Sequence, residues 1–134
     1  MGSKNSTPVK NGQSFTLKIK VKILSEETVT QTMRDTACEY LNSSAFKKRA
    51  TTDLNNNTAE DGKIKIIIDS INVNKALSVT IIGHVKVIKK ESIETYLVED
   101  SLVTSLLHSS SAGEQMPKKS GKYRIQFTDA NVSL

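Results

Sequence analysis

Tryptophan is absent, cysteine occurs once, and glycine only six times in 134 residues. The lone Cys38 excludes an internal disulfide and any multi-thiolate metal site. Its place in a helical pattern suits a small half-buried side chain better than a reactive thiol. Few glycines leave little room for phosphate-cradling loops, and no Gly-x-Ser-x-Gly elbow or His-Glu-x-x-His pair occurs. The two histidines, His84 and His108, have no partners at metal-ligand spacing. No apolar run approaches the roughly 18 residues that a membrane-spanning helix needs, and no signal-peptide core follows the start. These absences predict a chain with no catalytic residues, no metal and no cofactor, and they favour a cytoplasmic location.

Large aromatics are also scarce: Phe15, Phe46, Phe127, Tyr40, Tyr96 and Tyr123. With 37% hydrophobic residues, the core must be built from Ile, Val and Leu, whose branching suits a pleated sheet. The length fits one domain with a modest core.

Positive charge is unevenly spread. Lys4, Lys10, Lys18, Lys20 and Lys22 precede the first acid, Glu26, and the remaining 14 basic residues balance 14 acids. The net charge of +5 therefore belongs to the N-terminal tail and the segment after it. An anionic partner would meet a local cationic element.

Residues 1–13 are polar, with Pro8 and Gly12, and read as a flexible tail; residues 14–134 read as a single α+β domain. From Ser14 the pattern alternates: Phe15, Leu17, Ile19, Val21 and Ile23 on one face, Thr16, Lys18, Lys20 and Lys22 on the other. That period of two predicts a half-buried strand with lysines on its open face. Ser25 is an expected N-cap, and Glu26 and Glu27 suit a helix start. Val29, Met33, Ala37, Tyr40 and Leu41 then share one helical face, with the helix ending between 41 and 50. Residues 51–62, with three consecutive asparagines, are expected to be a polar loop.

A second strand is expected from Lys63 to Val73, with Ile64, Ile66 and Ile68 inward. A third is expected from Leu77 to Lys89, and the short connection predicts an antiparallel hairpin. Gly83 inside the third strand signals a bulge or a close approach. Residues 92–108 fit a helix with Tyr96, Val103, Leu106 and Leu107 on one face, although Val98 and Leu102 oppose them. Tyr123, Ile125 and Phe127 mark a last strand. The order βαββαβ predicts a ferredoxin-like, four-stranded antiparallel sheet with two helices on one face. If residues 92–99 were strand, a small OB-like β-barrel with one helix would be the alternative.

On that sheet, Lys18, Lys20, Lys22, Lys63, Lys65, Lys86 and Arg124 would share the uncovered face with Thr80, Ile82, His84 and Gln126. Such a face suits an acidic protein patch or phosphates, although lysine on a solvated strand also serves simply to prevent edge pairing. The outward positions of the first and third strands hold no aromatic, and neither RNP signature is present, which argues against base stacking in the RRM manner. Nucleic acid could then be held only through non-specific backbone contacts. Met1-Gly2-Ser3-Lys4-Asn5-Ser6 fits N-myristoylation at Gly2, with Lys4 and Lys10 as the electrostatic second signal for a membrane surface; it also matches an ordinary expression-vector start. Asp35 and Glu39, like Glu99 and Asp100, read as solvated helix faces. Asn5, Asn42, Asn56 and Asn131 begin Asn-x-Ser/Thr triplets that chance explains. The expectation is a non-catalytic binding or assembly domain that docks a protein partner or a second copy through its sheet face or edge. A nucleic-acid-binding module and a myristoylated membrane-surface protein are the alternatives.

Overall fold

The computed structural model describes residues 9–58, 63–88, 95–109, 114–115 and 123–134. The first strand, β1 (Gln13–Leu24), has the alternation the sequence predicts: Phe15, Leu17, Ile19 and Ile23 are buried, while Lys18, Lys20 and Lys22 are exposed. It is followed by α1 (Gln31–Leu41) and α2 (Ser44–Thr58), then by the hairpin of β2 (Ile64–Val73) and β3 (Ser78–Val87). Then come α3 (Thr95–Ser109), the two-residue β4 (Glu114–Gln115) and β5 (Arg124–Ser133). Every pairing is antiparallel, in the order β2-β3-β1-β5-β4. The fold is thus α+β, an open antiparallel sheet of four long strands with three helices. One apolar core joins the inward face of the sheet to Ala37, Leu41, Phe46, Ala50, Leu54, Val98 and Leu102 of the helices.

Three helices replace the two expected. The N-cap is Thr30 and not Ser25: the Thr30 hydroxyl accepts from Met33 N–H at 3.2 Å, while Ser25 Oγ accepts from Glu27 N–H in a local turn. The chain breaks at Asn42 and Ser43. Asn42 N–H donates to Cys38 O, and Ser43 Oγ donates to Tyr40 O and accepts from Phe46 N–H. Ser43 thus ends one helix and starts the next. Residues 51–58 are therefore helical, not loop. Phe46, Ala50 and Leu54 recur every four residues and are fully buried. The polar side chains between them turn back onto the backbone: Thr51 and Thr52 hydroxyls donate to Lys47 O and Lys48 O. Burial at three positions and self-bonded hydroxyls outweigh a composition that reads as loop.

Residues 95–109 are helix, so the barrel alternative loses its extra strand. The deepest face of α3 is Val98, Leu102 and Ser105, with Val103 and Leu107 only partly buried. Val98 and Leu102, expected to oppose the buried face, are thus turned inward, Val103 and Leu107 pack against the same core, and the side chains of Tyr96 and Leu106 lie outside the described residues.

Of the segment read as a tail, residues 1–8 lie outside the described residues. Val9 is buried, Gly12 N–H donates to Val85 O, and Asn11 Oδ1 accepts from Val87 N–H. Two bulges bend the sheet. Asp69 is the extra residue between the pairs Ile68–Gly83 and Ser70–Ile82, and Thr128 between Lys20–Asp129 and Val21–Phe127. Each reverses which alternate residues face inward, so Ile71 and Val73, then Ala130 and Val132, turn to the core.

Candidate docking surface

The open face of the sheet collects the outward residues of all four long strands. Lys18, Lys20, Lys22, Lys65, Lys86 and Arg124 are exposed there, and Lys63, just ahead of β2, is half-exposed. The pairing register divides these seven cations into two ends. On β1, Lys18 stands between Thr80 and Asn131, Lys20 between Ser78 and Asp129, and Lys22 beside Gln126; Arg124 continues this end on β5. Lys65 and Lys86 lie directly opposite one another at the other end of the hairpin. Lys86 lies six residue steps along β3 from Thr80, the neighbour of Lys18. At ~3.4 Å per residue that is ~20 Å.

Between the two ends runs a belt without lysine or arginine: Ser14, Thr16, Ile67, Ser70, Ile82 and His84. Ile82 is 39% exposed, and Ile67, diagonal to it across the bulge, is half-buried. Asp69, pushed out by the bulge, lies 2.9 Å from His84 Nδ1 and orients the ring. Ile88, 54% exposed, lies beyond Lys86. No phenylalanine or tyrosine ring reaches this surface among the described residues. Tyr40, Phe46 and Phe127 stack edge to face in the core region, and the Tyr123 hydroxyl donates to Met33 O.

The edges differ from the face. The outer edge of β2 is closed near its start by Asn55 of α2, whose amide donates to Ile66 O and accepts from Ile66 N–H, both at 2.9 Å. Asn55 copies the two hydrogen bonds that another strand would make. On the other side, β4 pairs with Arg124 and Ile125 of β5.

Gly2 and the lysine at position 4 lie outside the described residues, as does the side chain of His108. Among the described residues no three His, Cys, Asp or Glu side chains cluster as a metal site would require, and no helix is long and apolar enough to cross a membrane. Cys38 Sγ donates to Asn74 O at 3.3 Å, tying α1 to the β2–β3 turn. The alternation in the sequence predicts the solvent-facing positions of the seven cations. It misses the belt that separates them, because their spacing depends on strand register. No family model, curated protein or solved structure matches the chain.

Proposed function

We propose that the chain is a non-catalytic docking module whose open sheet face receives an acidic protein segment with an apolar residue at its centre. The observation that carries this reading is the exposed Ile82, with Ile67 beside it, between two cationic ends. Protein interfaces combine an apolar centre with a polar rim in this way. Lys65 and Lys86 also support it. Like charges directly across a strand pair repel, so an acidic neighbour would relieve a repulsion already present. We also read the sheet as a ferredoxin-like variant, because β2-β3-β1-β5 is the order expected of a split βαβ arrangement. In that reading α1 and α2 together occupy the place of one crossover helix. The face is favoured over the edge because Asn55 already occupies the start of the β2 edge, at Ile66.

The rival is a nucleic-acid surface built on Lys18, Lys20 and Lys22. Titration of the isotope-labelled chain with an acidic Leu-containing peptide, and separately with a DNA oligonucleotide, separates the two. Docking predicts that the peptide shifts amides at Ile82 and at both lysine ends, and that Ile82→Asp weakens it roughly tenfold, about 1.4 kcal/mol. Oligonucleotide binding that falls steeply with salt, survives Ile82→Asp and is abolished by joint Lys18→Glu, Lys20→Glu and Lys22→Glu changes would overturn it in favour of the rival.

A further inference from the structure

A second feature lies at the end of the sheet, apart from the belt. A half-open cleft of about 310 Å³ is lined by Val21, Lys22, Ile23, Val29, Arg34 and Leu77. Its origin is a difference in strand length. β3 follows β1 only as far as Lys20–Ser78, whereas β5 accompanies β1 to Leu24–Arg124. Residues 21–24 of β1 therefore run on past the end of β3 and leave a notch on that side. Val21 N–H reaches into it and donates to Leu77 O at 3.1 Å. The N–H and C=O of one strand residue point the same way, and alternate residues repeat the direction. Ile23 therefore turns its backbone polar pair toward the notch that β3 has vacated.

The chemistry of the walls is mixed in a specific manner. Val21, Ile23, Val29 and Leu77 supply aliphatic surface, and Lys22 and Arg34 are exposed cations at its margin. Neither cation has an ion-pair partner among the described residues. No acid occupies the first turn of α1. Asp35, the acid next in sequence to Arg34, accepts instead from Gln31 Nε2 at 2.8 Å. An occupant must therefore offer a short extended backbone, one aliphatic side chain and a negative charge within a few ångströms. The volume is at the lower limit of small-ligand sites, so one or two residues would fill it.

We propose that the notch captures the C-terminus of a partner polypeptide. Its last residues lie against Ile23 as a short added strand, its terminal aliphatic side chain fills the apolar wall, and its α-carboxylate meets Arg34 and Lys22. Strand addition and carboxylate capture are both established modes of peptide recognition, and the planar guanidinium suits a carboxylate. This goes beyond the sheet-face reading: the two share Lys22, but Arg34 and the apolar walls belong to the notch alone and Lys65, Lys86 and Ile82 take no part in it.

The test is an amide-shift titration of the full chain with a six-residue peptide ending in Ile-Val with a free carboxylate. The same peptide amidated, the peptide ending in Asp, and hexanoate serve as comparisons. Capture predicts shifts at Ile23, Val29 and Leu77, and roughly tenfold weaker binding on amidation and in Arg34→Gln. That substitution sits at an exposed helical position, and unshifted core amides would show that the fold is intact. Equal binding of the amidated or Asp-ending peptide, hexanoate binding as tightly as the peptide, shifts confined to Lys18 and Ile82, or no shift at millimolar peptide would each overturn it.

Discussion

The ring of Phe15 fills the space that a side chain on Gly83 would need. The two residues face each other across β1 and β3, and a Cβ built on Gly83 would lie 2.7 Å from Phe15 Cζ and 2.9 Å from Cε2. It would also collide with the backbone oxygen of Ile67 on the other side. Glycine is thus demanded by close approach from two neighbouring strands, and the Asp69 bulge lies beside it.

Gly83→Ala should therefore destabilise the chain by about 3 kcal/mol, the upper range for overpacking a filled core. Urea titration measures it. A loss under 0.5 kcal/mol would mean that both the Ile67 backbone and the Phe15 ring, only 1% exposed, can give way.

Asn55 gives a second prediction. Its amide satisfies both polar groups of Ile66 at the sheet edge, so Asn55→Ala should cost about 2 kcal/mol, the penalty for orphaning partly buried groups. It should also raise self-association, because an uncovered edge templates pairing. Asn55→Asp keeps the acceptor for Ile66 N–H but sets a carboxylate oxygen against Ile66 O and Thr51 O, so at neutral pH it should cost at least as much as alanine. Thermal melts and sedimentation velocity check both effects.

How far the sequence anticipated this molecule depends on how locally each feature is determined. β1 was legible because one buried face forces strict alternation on Phe15 to Ile23, and the lysines between them had nowhere else to go. The hairpin was legible from two branched runs around Asn74. The break at Asn42–Ser43 was not, since it rests on Ser43 serving two helices at once. Nor was the helix over Ser44–Thr58, whose Phe46, Ala50 and Leu54 are sparse among polar residues. The bulge at Thr128 comes from contact between strands distant in the chain, whereas the one at Asp69 lies inside the hairpin beside Gly83, the glycine that signals a bulge or a close approach. The division of seven cations into two ends, and the notch beside Ile23, follow from register and relative strand length, which no single segment encodes.

Leu77 tests backbone strain against burial. It closes the β2–β3 turn with φ +59°, a position where such hairpins usually carry glycine, yet it is 3% exposed. Leu77 N–H donates to Asn74 O, and Asn74 Oδ1 accepts from Ala76 and Ser78 N–H, so the turn is held firmly. The left-handed conformation costs a non-glycine residue about 1–2 kcal/mol, and removing a buried leucine costs about 2–5 kcal/mol. Leu77→Ala loses the burial and keeps the strain; Leu77→Gly loses slightly more surface and sheds the strain. Both should destabilise, with glycine the milder, the reverse of the usual order in a core. If alanine proved milder in urea titrations, the strain would be negligible.

Lys65 and Lys86 offer the sharpest opposition between stability and binding. They face each other on the open side of the hairpin, where like charges reduce stability by a few tenths of a kcal/mol and opposite charges restore it. Lys86→Glu should therefore raise stability by about 0.5 kcal/mol at low salt. The gain should shrink toward zero near 1 M salt, where the screening length falls to about 3 Å. If the face serves an acidic partner, the same substitution should weaken binding of the acidic Leu-containing peptide at least threefold. A variant that became more stable and bound the peptide equally well would leave the pair as an ordinary solvated corner. Docking would then rest on Ile82 and the Lys18 end alone.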